Sequence, residues 1–331
     1  MDTQDVHTRL RVEGGGLEMI SEIDDKRTKI NPPSSSPCIK GLRYNLSMLT
    51  LGRLEKLAKS RFEIRELTNE DFEQWYTSDI RSMDMLVQSV NASSQIEGEG
   101  IAVEELPLIL AAVTESTNRN IQDSELIDRH KALKSISLAA LWALTSKSIE
   151  FITYDFVIEL HKRMFESTRP AISGKIKTSE VKIEGAGYLI ETLPSNKADE
   201  YLRDLCKRTD AILRDAAYHS TASMILTIAE FISDFLAIHP FLDGNGRTAR
   251  LLSTYLLEKS GYHFSRFYPI DFIILETRYD YYEALYNAQK NWYMPDEDMT
   301  AWIDYYVNIV YLQFSRAYLN ARNRFEKEKK S

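Results

Sequence analysis

The residues best suited to chemistry lie in one stretch of twelve residues that begins at His239 and reads His-Pro-Phe-Leu-Asp-Gly-Asn-Gly-Arg-Thr-Ala-Arg. His239 carries an imidazole, which can transfer a proton near neutral pH. Asp243 carries a short carboxylate, which suits Mg²⁺ beside phosphate oxygens. The loop of Gly244, Asn245 and Gly246 allows positive φ angles and can direct successive backbone N–H groups at one anion. A base, a metal ligand and an anion-binding loop together favour chemistry on a phosphate group.

The residues after this loop are predicted to form a helix from Arg247 to Tyr255, which would place the bound anion at a helix N-terminus. Arg247 and Arg250 lie three residues apart and therefore share one face of that helix. Their guanidinium groups are planar and permanently charged, so both can reach back toward the loop. An ordinary turn before a helix would explain a lone Asp-Gly-Asn-Gly. The full set of groups at one loop–helix junction favours a phosphate site instead.

The same stretch resembles the signature of Fic-domain proteins, His-x-Phe-x-Asp/Glu-Gly-Asn-Gly-Arg-x-x-Arg, and every defining position is present. Proteins of that family mostly transfer AMP from ATP to a hydroxyl group of a protein. The resemblance implies that His239 is the catalytic base and that Asp243 holds Mg²⁺ or Mn²⁺. It also implies nucleotide contacts from the loop and from both arginines, which are Gly244, Asn245, Gly246, Arg247 and Arg250.

A second motif lies upstream, where Ser93 and Glu97 precede Gly98. On its own this motif is a helix that ends at a glycine, with a solvated glutamate. Beside the first motif it resembles the inhibitory helix of many Fic proteins, whose pattern is Ser/Thr-x-x-x-Glu-Gly/Asn. That resemblance implies that Glu97 pairs with Arg250 and inhibits the active site of its own chain.

Residues 172–194 carry the one clear strand pattern, because apolar and polar residues alternate on both sides of a short turn. The pattern predicts a β-hairpin, which could be a simple surface feature. The resemblance implies instead a flap over the active site, whose free edge pairs with a segment of the target protein. The predicted flap and turn residues are Val181, Ile183, Glu184, Gly185, Ala186 and Gly187. Lys177 stands where the family often has the arginine of Gly-x-x-Arg, so the positive charge is kept but the planar fork is lost.

Two tyrosines near the C-terminus have two explanations. Tyr281 and Tyr282 could belong equally to the core or to a pocket. The resemblance implies that Tyr282 contacts the adenosine and that Gln289, seven residues further on, reaches the ribose or the base.

Helical periodicity accounts for most of the remaining chain. The sequence from Thr68 is predicted to open a helix through a capping box. His130 and His161 fall on predicted helices without a partner at metal-ligand spacing, so both are predicted to be packed or hydrogen-bonded structural histidines.

Composition limits the classes of protein. The chain has 331 residues, of which 44% are hydrophobic, so it can bury a sizeable core. The net charge of −8 argues against non-specific nucleic-acid binding. Cys38 and Cys206 are far apart and form neither a disulfide framework nor a zinc pattern. No apolar run is long enough to span a membrane, and the N-terminus is unlike a signal peptide. We therefore expect a cytoplasmic protein that binds neither nucleic acid nor membrane.

We expect a mainly α fold, a Fic-type bundle of about eight to ten helices with one β-hairpin flap. The predicted divisions are a flexible N-terminal arm at 1–45, a helical region at 46–151 with the inhibitory motif at 93–98, a Fic core at 152–307 and a C-terminal helix at 308–331. Aromatic residues of that last helix are more simply core residues, although they could form a homodimer surface.

The function implied by the resemblance is protein adenylylation with ATP as substrate. AMP is transferred to a Ser, Thr or Tyr hydroxyl of another protein or of this protein itself, and pyrophosphate leaves. Two alternatives are open: Glu97 could orient a water that removes AMP from a modified protein, or the chain could sense nucleotides without turnover. The intact His239 disfavours a pure sensor. Gly246 disfavours the phosphotransferase variant of the family, which has lysine at this position.

Overall fold

The computed structural model describes residues 9–13, 16–20, 43–68, 80–116, 127–148, 150–215, 221–292, 294 and 296–328. These ranges contain eleven α-helices and two antiparallel β-hairpins, which confirms the predicted mainly α fold. The α-helices are α1 (Met48–Thr68), α2 (Ile80–Ile96), α3 (Leu106–Ser116), α4 (Asp128–Leu144), α5 (Tyr154–Phe165), α6 (Ala198–Arg214), α7 (Thr221–Ile238), α8 (Asn245–Lys259), α9 (Ile270–Glu276), α10 (Arg278–Gln289) and α11 (Thr300–Glu328). The strands are β1 (Arg9–Glu13), β2 (Gly16–Ile20), β3 (Lys182–Gly185) and β4 (Tyr188–Glu191).

Helix α7 lies at the centre of the bundle. Its side chains are buried from Ala222 to Ile238, and it packs against α1, α6, α8, α10 and α11. A helix that is apolar on nearly all sides is stable only inside a core, where each buried aliphatic or aromatic side chain contributes about 1.5–3 kcal/mol. Trp302 of α11 also donates from Nε1 to the Ala229 carbonyl oxygen at 2.7 Å. Because this fixed helix ends at Ile238, it sets the position of the next residue, His239.

Two acidic residues of α7, Glu230 and Asp234, contact the segment that leads into α1. Arg43 is buried, and its guanidinium lies 2.7 and 2.9 Å from the Asp234 carboxylate, 3.4 Å from Glu230 and 3.0 Å from Glu297. Burial alone would lower the pKa of Arg43, but the neighbouring carboxylates, Asp234 first, raise it well above its usual value. Removing one partner of such a cluster leaves an uncompensated buried charge. The chain from Arg43 onward is therefore anchored to the helix that precedes His239.

The hairpin of β3 and β4 confirms the predicted β-hairpin. The strands are antiparallel, with Ile183 opposite Ile190. The turn is shorter than predicted, since Glu184 and Gly185 belong to β3 and only Ala186 and Gly187 lie between the strands. These two residues have φ angles of 51° and 86°, as a type I′ turn requires.

Other elements differ from the sequence prediction. Thr68 is the last residue of α1, and the rest of the predicted capping box falls within residues 69–79, which lie outside the described ranges. The strands β1 and β2 form a hairpin inside the segment predicted to be an arm. One continuous helix, α11, crosses the predicted boundary at 308. In the described ranges, no helix is both long and apolar enough to cross a membrane.

Candidate active site

His239 lies immediately after α7 and has an unusual backbone conformation. Its φ is 50°, in a region that costs a non-glycine residue on the order of 1 kcal/mol and is found at functional sites. Its N–H donates to the Phe235 carbonyl oxygen at 2.9 Å, and its Nδ1 lies 3.3 Å from the Leu236 carbonyl oxygen. Nδ1 must carry a proton to make that contact, so Nε2 has a free lone pair. This is the tautomer that a base acting through Nε2 requires.

The surroundings of His239 favour the neutral imidazole. Burial, followed by the positive charge of Lys177, lowers its pKa to about 4, although the Leu236 carbonyl and the charge of Glu97 oppose the shift. An imidazole with this pKa is unprotonated at pH 7 and can accept a proton.

The loop between His239 and α8 is held by its own side chains. The Asn245 amide accepts from the Phe241 N–H at 2.9 Å and donates to the Phe241 carbonyl at 2.8 Å. Gly244 has a φ of 80° and precedes the first residue of α8. A Cβ at Gly244 would lie 2.4 Å from the Phe165 ring, so only glycine fits there. The first N–H groups of α8 have no intrahelical partner and are available to an anion. Both ends of the Asn245 amide are thus occupied, and this side chain shapes the loop.

His161 supports the same loop from below. Its Nε2 lies 3.0 Å from the Asp243 carbonyl oxygen, and its Nδ1 accepts from the Gly174 N–H at 3.0 Å. The ring stacks on Phe241 with centroids 3.7 Å apart. Burial, followed by the charge of Arg247, lowers its pKa to about 3. His161 is therefore a neutral structural histidine, as predicted. His130 is also buried and contacts the Glu105 carboxylate at 3.1 Å.

Arg250 is bound by the upstream motif, as the sequence predicts. Its Nη2 lies 2.7 Å from Glu97 Oε1, its Nε donates to Ser93 Oγ at 2.7 Å, and its Nη2 donates to the Ser93 carbonyl at 2.8 Å. Arg250 Nη1 is buried and has no hydrogen-bond partner among the described residues. A Cβ at Gly246 would lie 2.2 Å from Glu97 Oε1 and 3.1 Å from Arg250 Nη1. The Glu97 carboxylate therefore lies directly over the anion-binding loop.

The sequence analysis missed a ring of four charged residues beside this pair. Arg247 contacts Asp243 at 3.2 Å and Glu99 at 2.5 Å. Arg169 contacts Glu99 at 2.7 Å and also contacts Asp243. Burial opposes the shift, but the hydrogen bond from Arg169 and the charge of Arg247 lower the pKa of Glu99. Both the first arginine of the signature and its predicted metal ligand are therefore paired within the protein.

Glu97, His239, Asp243 and Arg247 line one cleft of about 230 Å³ beneath the hairpin, whereas Arg250 is not among its lining residues. That is small for a ligand pocket, which typically has about 300–1,000 Å³, and Glu97 reduces the space. The lining residues are Glu97, Val181, Lys182, Ile183, Glu184, Leu236, His239, Leu242, Asp243, Gly244, Asn245, Gly246, Arg247, Tyr281, Tyr282 and Leu285. Within the described ranges, no group of three or more His, Cys, Asp or Glu side chains could hold a metal ion.

Most of the predicted site residues meet in this cleft. Tyr281 and Tyr282 are both buried and both line the cleft, so each belongs to the core and to the pocket wall. A Cβ at Gly185 would lie 2.3 Å from the Tyr282 ring, which shows how closely the hairpin covers the tyrosine. The turn residues Ala186 and Gly187 do not line the cleft.

Gln289 is a correction to the predicted nucleotide contacts. It is buried, does not line the cleft, and donates from Nε2 to the Ser233 carbonyl at 3.0 Å. Seven residues complete almost two helical turns, so Gln289 shares a face with Tyr282 but lies about 10 Å further along the helix. At that level α10 packs against α7, and the side chain is enclosed.

Residues 151–257 match the family model described as the Fic/DOC family. The chain is 27% identical over 267 residues to protein adenylyltransferase fic-1 of Caenorhabditis briggsae, which covers 80% of this chain and 48% of the relative. It is 29% identical over 206 residues to protein adenylyltransferase Fic of Nematostella vectensis, which covers 61% of this chain and 43% of the relative. The chain thus spans about half or less of the length of these curated relatives. A Fic family protein from Desulfovibrio desulfuricans has a similar fold, with a TM-score of 0.61, 18% identity and coverage of 87% of this chain and 77% of that one. Fic-1 from C. elegans also has a similar fold, with a TM-score of 0.57, 24% identity and coverage of 83% of this chain and 74% of that one.

Proposed function

We propose that this chain, which carries a Fic/DOC domain at residues 151–257, is a protein adenylyltransferase. It would transfer AMP from ATP to a Ser, Thr or Tyr hydroxyl of a protein and release pyrophosphate. The observation that supports this most directly is the pairing of a neutral His239 with an anion-binding loop in one cleft. Binding a nucleotide needs no base, whereas transfer to a hydroxyl does.

The chemistry follows from the positions of the side chains. The triphosphate would lie over the Gly244–Gly246 loop, where the first N–H groups of α8 stabilise charge on the α-phosphate. Nε2 of His239 takes the proton of the target hydroxyl while the hydroxyl oxygen bonds to the α-phosphorus. The bond from the α-phosphorus to the oxygen that bridges to the β-phosphate breaks, and pyrophosphate leaves. Arg247 and Arg250 would neutralise the charge of the β- and γ-phosphates.

Asp243 fits the role of a ligand for Mg²⁺ or Mn²⁺. Its carboxylate lines the cleft beside the loop and is 42% exposed. Magnesium commonly uses one or two protein carboxylates and takes its other ligands from substrate phosphates and water. The ion would supply positive charge near the pyrophosphate leaving group. Arg169 and Arg247 both contact Asp243 in this structure, so these contacts must loosen when the ion binds.

The substrate protein would bind along the flap. Val181, Ile183 and Glu184 line the cleft next to His239, so a target segment paired with this hairpin would bring its hydroxyl close to Nε2. Self-modification is the simplest case to observe, because it needs no knowledge of another target. We also propose that the protein works in a reducing compartment such as the cytoplasm, because the buried thiol of Cys206 is free.

The free protein should be autoinhibited through Glu97. Its carboxylate holds Nη2 of Arg250 and lies over Gly246, where it would meet the triphosphate as a like charge. Glu99 extends the same effect, because it holds Arg247. A triphosphate can bind productively only after it displaces these internal carboxylates.

Hydrolytic removal of AMP from a modified protein is the second candidate function. Glu97 lines the same cleft as His239, so its carboxylate could instead orient a water that removes AMP from a modified protein. This alternative predicts that Glu97→Gln abolishes hydrolysis of an AMP-modified substrate. Under the main proposal, the same variant gains transfer.

Two labels of ATP test the proposal. The Glu97→Gly variant is incubated with ATP labelled at the α-phosphorus or at the γ-phosphorus, with Mg²⁺, with Mn²⁺ and with EDTA. We expect protein labelling from α-labelled ATP alone and only with a divalent ion. Mass spectrometry of the modified protein should show an added AMP. Incorporation of the γ label would instead indicate a kinase, and the proposal would be wrong.

A further inference from the structure

The carbonyl groups at the end of α7 are all engaged. The last four carbonyls of a helix have no intrahelical partner and need one from elsewhere. His239 binds two of them, since its N–H donates to Phe235 and its Nδ1 contacts Leu236. The Leu193 N–H donates to the Ala237 carbonyl at 3.0 Å. The Ile238 carbonyl accepts from a buried ammonium group on another segment, that of Lys177, at 3.1 Å.

Lys177 binds both carbonyls that flank His239. Its Nζ contacts the carbonyl of Ile238, and its backbone N–H donates to the carbonyl of Pro240 at 2.8 Å. The preceding residue, Ile176, forms a β-bridge with Phe241. The left-handed backbone of His239 is thus enclosed on both sides by contacts from one segment. Strained conformations of this kind persist only where the surrounding structure fixes them.

Lys177 also joins His239 to the flap. Its Nζ donates to Thr192 Oγ1 at 2.9 Å, and Thr192 Oγ1 donates to the Val181 carbonyl at 2.6 Å. Val181 and Thr192 flank the two strands of the hairpin, so the lysine connects the base of the flap to the end of α7. The side chain is only 2% exposed, and a buried ammonium needs such partners.

We infer that Lys177 is a positioning residue for the proposed transfer: it fixes the imidazole of His239 relative to the flap on which the target hydroxyl lies. The inference rests on the proposed function. Burial lowers the pKa of Lys177 to about 8, opposed by Glu180, so the ammonium stays largely charged at pH 7. Its charge favours the neutral form of His239, while the charge of Glu97 opposes this. The two charges that act on the base thus come from Lys177 and from the inhibitory motif.

The first test compares Lys177→Met with Lys177→Arg, both in the Glu97→Gly background. Methionine keeps the apolar stem but leaves the Ile238 carbonyl and Thr192 without their donor. We expect the transfer rate at saturating ATP to fall about tenfold to one hundredfold in Lys177→Met, since small displacements of a reacting group cost this much. The ATP KM should stay within about twofold. Arginine restores a charged donor and should recover most of the rate.

Lys134→Met is the matched control, because Lys134 is also a buried lysine but lies on α4, away from the segment that contacts His239 and the flap. Thermal unfolding of all variants is measured in parallel. A rate loss shared by Lys177→Met and Lys134→Met, in proportion to their lower unfolding temperatures, would show a general loss of stability and overturn the inference. An unchanged rate in Lys177→Met would overturn it as well.

A second measurement does not depend on transfer. Long-range ¹H–¹⁵N spectra of histidine-labelled protein report the tautomer of each imidazole, and His239→Gln assigns the signal among the six histidines of the chain. Wild type and Lys177→Arg should show the Nδ1–H tautomer of His239, and Lys177→Met a mixture of tautomers. Identical spectra in all three would overturn the inference. If Glu97→Gly transfers no AMP, the proposed function fails, and these spectra still decide the role of Lys177.

Discussion

The two halves of the cleft are held in different ways. The half that carries His239 is fixed by hydrogen bonds to backbone carbonyls: His239 binds two carbonyls of α7, and Lys177 binds the carbonyls on both sides of His239. The half that would bind phosphate is fixed by ion pairs between its own arginines and carboxylates, above all Arg250 with Glu97. The base half can therefore act without rearrangement, whereas the phosphate half must exchange internal carboxylates for phosphate oxygens.

This difference indicates where activity is controlled. Under the proposed function, an internal carboxylate would compete with the triphosphate for the same guanidinium groups and so weaken its binding. Arg250 and Arg247 are 2% and 3% exposed, and their partners Glu97 and Glu99 are 30% and 37% exposed. Glu99 is the more exposed carboxylate and Glu97 lies over Gly246, so the Glu97 contact should inhibit more than the Glu99 ring. The predictions that follow test each half separately.

The largest effect should come from the base. We expect His239→Ala in the Glu97→Gly background to lower AMP transfer by about 10²–10⁴-fold, which is the usual contribution of a general base. ATP affinity should change little, because the imidazole lies outside the anion-binding loop. Transfer of α-label and nucleotide affinity by calorimetry are measured on the same preparation. Full activity without the imidazole would remove His239 from the mechanism.

Removing Glu97, the more buried of the carboxylates of Glu97 and Glu99, should have the next largest effect. Glu97→Gly removes the carboxylate that contacts Nη2 of Arg250, while the contacts to Ser93 remain, and it takes a like charge away from the γ-phosphate. Like charges a few ångströms apart in a site of reduced dielectric cost roughly a few kcal/mol, which corresponds to about one hundredfold or more in productive occupancy. We therefore expect a gain of that order in self-modification with α-labelled ATP.

Glu104→Gly is the control for this gain, since Glu104 is an exposed glutamate seven residues further along the chain. The double variant Glu97→Gly/Arg250→Ala should lose the gain, because Arg250 would no longer be present to bind the γ-phosphate. Equal labelling of wild type and Glu97→Gly would contradict the inhibitory role.

The loop that follows His239 and the contact of Glu97 with Arg250 could be predicted from the sequence for a local reason. The spacing from His239 to Arg250 fixes a loop and one helix face, and the pairing of Glu97 with Arg250 follows from a resemblance that covers both motifs. Glu99 and Arg169 could not be predicted in this way. Arg169 lies in an irregular segment after α5, and only the tertiary fold brings it to Asp243.

The position of Gln289, which is buried and does not line the cleft, shows what periodicity leaves open. Helical periodicity correctly places Gln289 on the face of Tyr282, but it does not give the depth of the cleft along the helix. Periodicity therefore predicted faces well, and contacts along and between elements depended on packing.

A smaller effect should come from the exposed ring. Glu99→Gln leaves Arg247 free for the β-phosphate but keeps the shape of the side chain. We expect ATP affinity to rise about twofold to fivefold in the Glu97→Gly background, a modest gain because partly exposed pairs are worth roughly 0.2–1 kcal/mol. Calorimetry at low and high salt measures it, and the gain should shrink at high salt. Glu104→Gln is the control. Unchanged affinity at both salt concentrations would show that the ring does not oppose nucleotide binding.

The smallest effect concerns the pH dependence of the transfer rate, which tests whether the half of the cleft that carries His239 is preassembled. The pKa of His239 is lowered from 6.5 to about 4, so its base form predominates at every pH above that value. The charge of Glu97 raises this pKa, and its removal in Glu97→Gly should therefore lower the pKa further. We expect the single-turnover transfer rate of Glu97→Gly at saturating ATP to change by less than about twofold between pH 8 and pH 6, where an imidazole of ordinary pKa would lose most of its base form. The rate should fall only as the pH approaches the lowered pKa. A decline centred near pH 6.5 would show that the imidazole is solvated in the working enzyme, and the base half would then be no more preassembled than the phosphate half.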